Sequence, residues 1–579
     1  MSVKNPYVSL LSTSWANANQ RQRVMFVFLY VLNFVTNALS ALFPLLYGWF
    51  VDSLQKNMEQ ALSNVWWYAA GYIGLTLLYW LFHGPARLIE RKLAFQISSN
   101  FLDDLVSKLL HTEVGWHKKN HSGATVNRLR KAYIGLRSFF DNGFLYVQTF
   151  VQLLVSMIAM IYFSPVFGAV AVVLGLCSIW VNFKLDKPFI KALDGFNEEE
   201  HETTASISDS LSNVLTVITL RLENRIATDI RQKIKKMFPA FRRITIIAAY
   251  KWFTANILSG LIFVVIVVGY VYSNYTPANA LQIGALVALI GFVTQFTTSF
   301  NGVVAQYTNI VQFYAEVNAV DTIRQQPAVK EQLSAAQGLA DNWQKLAVSN
   351  LSFTYGNETQ TAADRANLID DVTLHLEKGR HMALTGKSGA GKSTLLSLLR
   401  GLYQPLGTPA VQVDDMRGGD LSQIAQSSVL FPQDPEIFEN TVTFNLTIGL
   451  SFDPQEIRRA CELACVDDVI DSLPEGLDTV INEKGGNLSG GQKQRLAIAR
   501  GILASKDRDI LLLDEPTSSS DEATQRKIYQ NIINEYPDKV VLSTVHNRSL
   551  LDIFDDCILF EDGAVKRLQP DSSLTEKIN

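Results

Sequence analysis

Six apolar runs, each long enough to cross a bilayer as a helix, constrain this chain more than any other feature. They lie at about 24–51, 65–84, 139–163, 165–184, 253–273 and 280–302. A bilayer core takes about 20 apolar residues in a helix. A segment such as GLIFVVIVVGYVY has no polar face to show to water, so six runs of this kind would be hard to bury in one soluble core. The chain has 579 residues, enough for several domains, and its 48% hydrophobic average hides a split. Residues 1–325 carry the apolar runs, 326–345 form a polar linker, and 346–579 read as a soluble α/β domain.

Lys and Arg in the connections set the expected orientation. The connection 87–137 holds ten of them against four acids, and 185–250 holds ten more. The other connections are nearly bare: Lys56 alone in the first, Ser164-Pro165 in the second, SNYTPANA in the third. The basic connections are therefore expected in the cytoplasm, with the N-terminus (Lys4, Arg21, Arg23) and the C-terminal domain on the same side. The N-terminal stretch does not read as a signal peptide. Both basic connections show apolar residues at three and four spacing, so they are expected to be helical, turning near 115–128 and 211–225.

Other polar features in this half point away from metals and protons. His111, His117 and His121 surround the first turn without a thiol or carboxylate cluster, which suits a contact surface for another domain. The spans hold almost no acids or bases, which argues against a proton relay as the energy source. Asn33, Asn37, Gln148, Gln152, Gln295 and Asn301 could line a cavity or bond helix to helix. The four cysteines form no disulfide framework, and Cys461 and Cys465 lack a second pair at zinc spacing. A net charge of −4 gives no reason to expect nucleic acid.

The second half carries the chemistry. In GRHMALTGKSGAGKSTLLSLLRGL an apolar strand enters Gly386, Lys387, Ser388, Gly389, Ala390, Gly391, Lys392 and Ser393, and a helix leaves with Thr394 in its first turn. That is the G-x-x-x-x-G-K-S pattern in its required context. Backbone N–H groups of such a loop close around phosphate oxygens, and the helix N-terminus adds its positive end. Lys392 would reach the β- and γ-phosphates, and Ser393 would bind Mg²⁺. Downstream, DILLLDEP ends a buried strand on Asp514, a carboxylate associated with Mg²⁺, followed by Glu515. A carboxylate there can accept a proton from the attacking water or orient it.

These strings, in this order, resemble the ATP-binding cassette (ABC) transporters, specifically exporter-type half-transporters, over essentially the whole chain. The expected fold class is a multidomain membrane protein: an all-α six-helix transmembrane domain plus a cytoplasmic α/β P-loop ABC ATPase domain. The resemblance implies further roles. Tyr355 would stack on adenine. Gln433, in VLFPQDPEIFENTV, would sense Mg²⁺ and contact the membrane domain, and Glu483 would face the intracellular loops. The LSGGQ signature, with Ser489, Gly490, Gly491 and Gln492, would close over the γ-phosphate held by a partner chain. Asp521, in SSSD, and the switch histidine His546 complete the set. Departures are small: SSSD where SALD is usual, Asn547 where Arg is common, and Asn482 where Gly is frequent.

The machine so implied is a dimer of twelve spans and two ATPase domains, using ATP and Mg²⁺ and working by alternating access in a bacterial inner membrane. No damaged motif marks a degenerate site, which favours a homodimer over a heterodimer. The nearly uncharged spans suit an amphipathic or apolar cargo such as a lipid, drug or small peptide. No cysteine-peptidase domain precedes the first span, which disfavours a leader-cleaving peptide exporter. Two alternatives stay open: an exporter-fold importer of a metal chelate or other small solute, and an ATP-gated channel or regulator. A soluble ABC ATPase is excluded by the spans.

Overall fold

The computed structural model describes residues 5–56, 58–120, 122–275, 281–325, 338–355, 369–482, 485–561 and 564–568. His121 and Glu483 lie outside them. The chain divides into two compact units: Met1–Leu109 with Gly123–Gln325, and Leu110–Ser122 with Gln326–Asn579.

The first unit is helical. Its helices are α1 (Pro6–Ala16), α2 (Gln20–Ser40), α3 (Phe43–Lys56) and α4 (Met58–Leu110). After α5 (Val114–Lys119), which clusters with the second unit, come α6 (Ser122–Asp141), α7 (Gly143–Phe163), α8 (Pro165–Ser212), α9 (Val214–Thr219), α10 (Glu223–Asn274) and α11 (Ile283–Asn318). Among the described residues five stretches are long and apolar enough to cross a membrane: Gln20–Gln55, Val65–Leu110, Thr125–Phe163, Glu223–Asn274 and Ile283–Arg324. A shorter apolar stretch, Pro165–Ser178, opens α8. The apolar run at 24–51 is carried by two helices, α2 and α3, with Pro44 in the first turn of α3. A proline there gives up an N–H that would have no helical partner anyway.

α8 and α10 run for 48 and 52 residues, well past bilayer length, and pack along each other. α3 and α11 approach through small residues: a Cβ on Gly284 would stand 2.3 Å from the Gly48 carbonyl oxygen. The first N–H groups of a helix need partners, and α3 supplies them to α11. Asp52 Oδ1 accepts from Gly284 N at 3.1 Å, and Gln55 Oε1 accepts from Ile283 N at 2.9 Å. Glu90 of α4, fully buried, does the same for α7 by accepting from Phe144 N at 2.6 Å, and Arg87 pairs with it.

The second unit is α/β. Strands β1 (Lys345–Phe353), β2 (Ile369–Glu377), β4 (Ala410–Val413) and β5 (Met416–Gly419) form an antiparallel sheet in the order β2-β1-β4-β5. The strands β3 (His381–Thr385), β6 (Ser428–Phe431), β7 (Ile510–Asp514), β8 (Val540–Thr544), β9 (Asp556–Glu561) and β10 (Ala564–Leu568) form the second sheet, ordered β10-β9-β3-β8-β7-β6. It is parallel except for β10. HMALT, ILLLD and VVLST are buried at every position, as expected of parallel strands covered on both faces. Cys461, Cys465 and Cys557 sit in the apolar core on one side of this sheet. The order β3-β8-β7 makes neighbours of the three strands whose C-terminal ends carry the phosphate loop, His546 and Asp514-Glu515. In open α/β sheets ligands bind at such ends.

Candidate nucleotide-binding site

β3 delivers the chain to Gly386, whose φ is +145°. A Cβ at this position would stand 2.1 Å from the backbone oxygen of Phe560 on β9, so only glycine fits. Gly389 and Gly391 also take positive φ, +80° and +110°. After Gly386 the loop exposes Lys387 and Ser388 and half-buries Ala390 before the helix Lys392–Leu399 begins. The Lys392 side chain folds back into the loop, where Nζ donates to the carbonyls of Gly386 (2.8 Å) and Lys387 (2.9 Å). Burial lowers its pKa below the ordinary lysine value, and the charges of Glu515 and Asp514 oppose that shift.

Asp514 ends β7 with its side chain already engaged: Oδ1 accepts from Ser393 Oγ at 2.9 Å and from Thr544 Oγ1 at 3.1 Å. Glu515 follows with φ +45°, a left-handed conformation that few non-glycine residues adopt. Thr544 Oγ1 accepts from its N–H at 2.8 Å and helps to hold that turn. The Glu515 carboxylate is clasped from two sides, by Gln433 Nε2 at 3.0 Å and by His546 Nε2. Six residues flagged in separate strings (Lys392, Ser393, Gln433, Asp514, Glu515 and His546) thus meet at the ends of adjacent strands.

Tyr355 lies just beyond β1. Its hydroxyl is 2.9 Å from Thr394 Oγ1, and its side chain is 53% exposed, which leaves a ring face open. The signature lies elsewhere. Ser489 caps the helix Gly490–Ala504: its Oγ accepts from Gln492 N at 3.3 Å, and Gln492 Oε1 accepts from Ser489 N at 2.8 Å. A Cβ on Gly491 would stand 2.9 Å from the Ser519 carbonyl, so the signature abuts the loop that ends in Asp521. Asp521 caps the helix Glu522–Glu535 by accepting from Thr524 N at 2.9 Å and Thr524 Oγ1 at 2.7 Å, bonds that lower its pKa. Among the described residues, no hydrogen bond joins Ser489, Gly490, Gly491, Gln492 or Asp521 to the phosphate loop, Asp514 or Glu515.

Three residues that no motif singles out hold this site. Thr544 bridges Asp514 and Glu515. Gln494, 5% exposed, donates to the Gln433 carbonyl (3.3 Å) and Ser518 Oγ (2.9 Å) and accepts from Ser519 N (2.8 Å). Its one available signal is a glutamine on the inward side of the signature helix. Tyr403 packs edge-on against Tyr355, with ring centroids 5.5 Å apart.

The family model for the ABC transporter transmembrane region matches residues 26–300, and the ABC transporter model matches 369–518. The ATP-binding cassette sub-family B member 6 of Rattus norvegicus is 28% identical over 549 residues, covering 91% of this chain and 63% of the relative. The chain spans 62–66% of the length of the four such mammalian relatives it matches. The β-(1→2)glucan export ATP-binding/permease protein NdvA of Brucella suis biovar 1 is 25% identical, over 91% of this chain and 86% of that protein. A bacterial Atm1-family ABC exporter solved with ATP bound superposes with a TM-score of 0.83 at 20% identity, covering 97% of each chain. Two successive ABC family matches that together cover most of the chain make this protein a member of the ABC transporters, in which a helical domain with apolar, membrane-length helices is fused to an α/β ABC ATPase domain in the fold of an Atm1-family exporter.

Proposed function

We propose that the chain is one half of a homodimeric, ATP-driven exporter of an amphipathic or apolar solute. The observation that carries this reading is the convergence of Ser393, Asp514, Glu515, Gln433 and His546 in one network bridged by Thr544, next to the loop that Lys392 folds into, on a chain that also bears the apolar helices. The loop N–H groups and Lys392 would hold the phosphates of ATP. The Ser393 hydroxyl and Asp514 carboxylate, with the Gln433 amide close by, offer the hard oxygen donors that suit Mg²⁺. Mg²⁺ would neutralise charge on the β- and γ-phosphate oxygens. Glu515 would take the proton of the attacking water. His546, already bonded to Glu515, would steady that carboxylate and reach the γ-phosphate.

Ser489 needs a second chain. Its Oγ accepts its own helix cap and keeps its hydroxyl proton, so it can donate to an anion beyond the helix N-terminus. The signature would close over the ATP in the partner's phosphate loop, so each ATP would bind between two chains. Both halves of that site are complete here, which favours two identical chains. Closure, passed on by the turns at α5 and α9, would switch access between the two membrane faces. Six spans, with the termini and ATPase domain in the cytoplasm of a bacterial plasma membrane, remain the topology favoured by the Lys and Arg balance. The glucan export protein among the relatives handles a polar cargo by name. The nearly uncharged spans of this chain favour an apolar or amphipathic one instead.

The test is Mg-ATPase activity of the purified chain in lipid nanodiscs, followed by uptake into inside-out vesicles. Activity from the chain alone and ATP-dependent accumulation are expected. Activity that requires a different second chain would end the homodimer reading, and ATP-dependent efflux from the same vesicles would make the protein an importer.

A further inference from the structure

We infer that Tyr403 is a positioning residue that holds Tyr355 ready for the nucleobase and ties it, through Lys118 and Gly115, to the turn at Val114–Lys119, so that this turn senses whether a base is stacked. The inference rests on the reading that Tyr355 stacks on adenine.

The residues involved all belong to the second unit, because Leu110–Ser122 clusters with the ATPase domain. Three restraints set the Tyr355 ring. Its hydroxyl is held at Thr394, at 2.9 Å. Its edges meet Phe353 (centroids 4.9 Å apart, planes at 87°) and Tyr403 (5.5 Å, 90°). Edge-to-face contacts of this kind carry a directional preference beyond area burial. Tyr403 also packs on Phe353, at 5.4 Å. The three rings therefore form one cluster, with Tyr355 as its exposed member.

The turn touches the far side of that cluster. The Lys118 ammonium lies 5.6 Å from the centroid of the Tyr403 ring, within cation–π range. A Cβ on Gly115 would stand 3.9 Å from Tyr403 Cε1, so the backbone of the turn lies beside the ring edge. Close-packed groups transmit displacement rather than absorb it. A base that presses on Tyr355 therefore loads Tyr403 and, through it, the turn that continues into α4 and α6. The phosphates would lie against the loop and Lys392, which meet this cluster at one hydroxyl bond, Tyr355 to Thr394, rather than on the Tyr355 ring face.

The test uses the full chain in lipid nanodiscs. Base–aromatic stacking is sequence-tolerant but strong enough that losing the ring's alignment should raise KM for ATP about tenfold. Tyr403→Ala is expected to show that rise with kcat within about twofold, and Tyr403→Phe, which keeps the ring, to restore the wild-type KM. A fluorophore on Lys119→Cys, in a Cys177→Ala background that also carries Glu515→Gln, should shift when ATP binds. Inorganic tripolyphosphate, which has no base, should give less than half of that shift, and Lys118→Met should remove at least half of the ATP response at unchanged ATP affinity. An unchanged KM in Tyr403→Ala, a full shift with tripolyphosphate, or a full shift in Lys118→Met would each overturn the inference. Tyr355→Ala separates it from the reading beneath: if that variant binds ATP like wild type, base stacking itself fails. If it weakens binding while Tyr403→Ala does not, the positioning role alone fails.

Discussion

The two units use their polar side chains in opposite ways. In the nucleotide unit these side chains join elements far apart in the sequence. Ser393 bonds to Asp514, Gln433 to Glu515, Gln494 to Ser519, and Trp343 Nε1 to Asp509 Oδ2 at 3.0 Å. In the helical unit Thr36, Asn37, Ser156, Thr254 and Thr297 each donate to the carbonyl one turn back in their own helix. A bond between elements fixes their geometry, whereas a bond back into the same helix only satisfies the hydroxyl or amide. Side-chain links between helices do occur in the helical unit, at Asp52, Gln55 and Glu90 next to helix N-termini, at Asn100, and from Lys233 to Ser206 on the long extensions of α10 and α8. The mid-helix relay Ser40–Gln152–Ser299 is long, at 3.5 and 3.3 Å. One unit is therefore built to hold reacting atoms still. The other has, within its apolar stretches, many hydroxyls and amides bonded back into their own helices, which leaves much of the helix–helix surface to packing, a contrast that suits the proposed ATP-driven pump.

Four substitutions probe that contrast, in falling order of effect. Glu515→Gln removes the proton acceptor while keeping the shape, and kcat should fall about a thousandfold with ATP affinity within a few-fold. Single-turnover hydrolysis alongside nucleotide binding checks both halves. Gly48→Val places a side chain against the Gly284 carbonyl and Ala288, and overpacking there should destabilise the helical unit by about 1–3 kcal/mol. Thermal unfolding in detergent would read it, with basal KM for ATP unchanged. Gln494→Ala strands the Gln433 carbonyl and Ser519 N–H, and kcat should drop about tenfold, in line with the cost of unpartnered buried groups. Thr297→Val removes only a bond within its own helix and should cost about 0.5 kcal/mol or less. If Thr297→Val were as damaging as Gln494→Ala, the contrast between the units would fail.

What could be read from the sequence follows the same line. The fold class was legible because apolar runs and a strand–loop–helix phosphate motif are local patterns, each complete within one stretch of chain. The network was not, because it depends on strand order. Nothing local says that the ends of β3, β8 and β7 lie side by side, so the bonds of Asp514 to Ser393 and of Glu515 to Gln433 and His546 are invisible in the string. Thr544, Gln494 and Tyr403 went unnoticed for that reason: each is an ordinary residue made important by its neighbours. The signature is the converse case. LSGGQ is conspicuous in the sequence, yet among the described residues of its own chain Ser489 does no more than cap a helix.

Disulfide trapping between chains tests most directly whether Ser489 works on the partner's nucleotide. Two differently tagged versions, one with Ser489→Cys and one with Ser388→Cys, both in a Cys177→Ala background, would be co-purified and oxidised with ATP present. The expected result is a mixed disulfide-linked dimer that carries both tags, increased by ATP and enriched by adding Glu515→Gln. If both cysteines remain open to maleimide and no mixed dimer forms while ATP is bound, the signature does not close over the partner's phosphate loop, and the shared-site account is wrong.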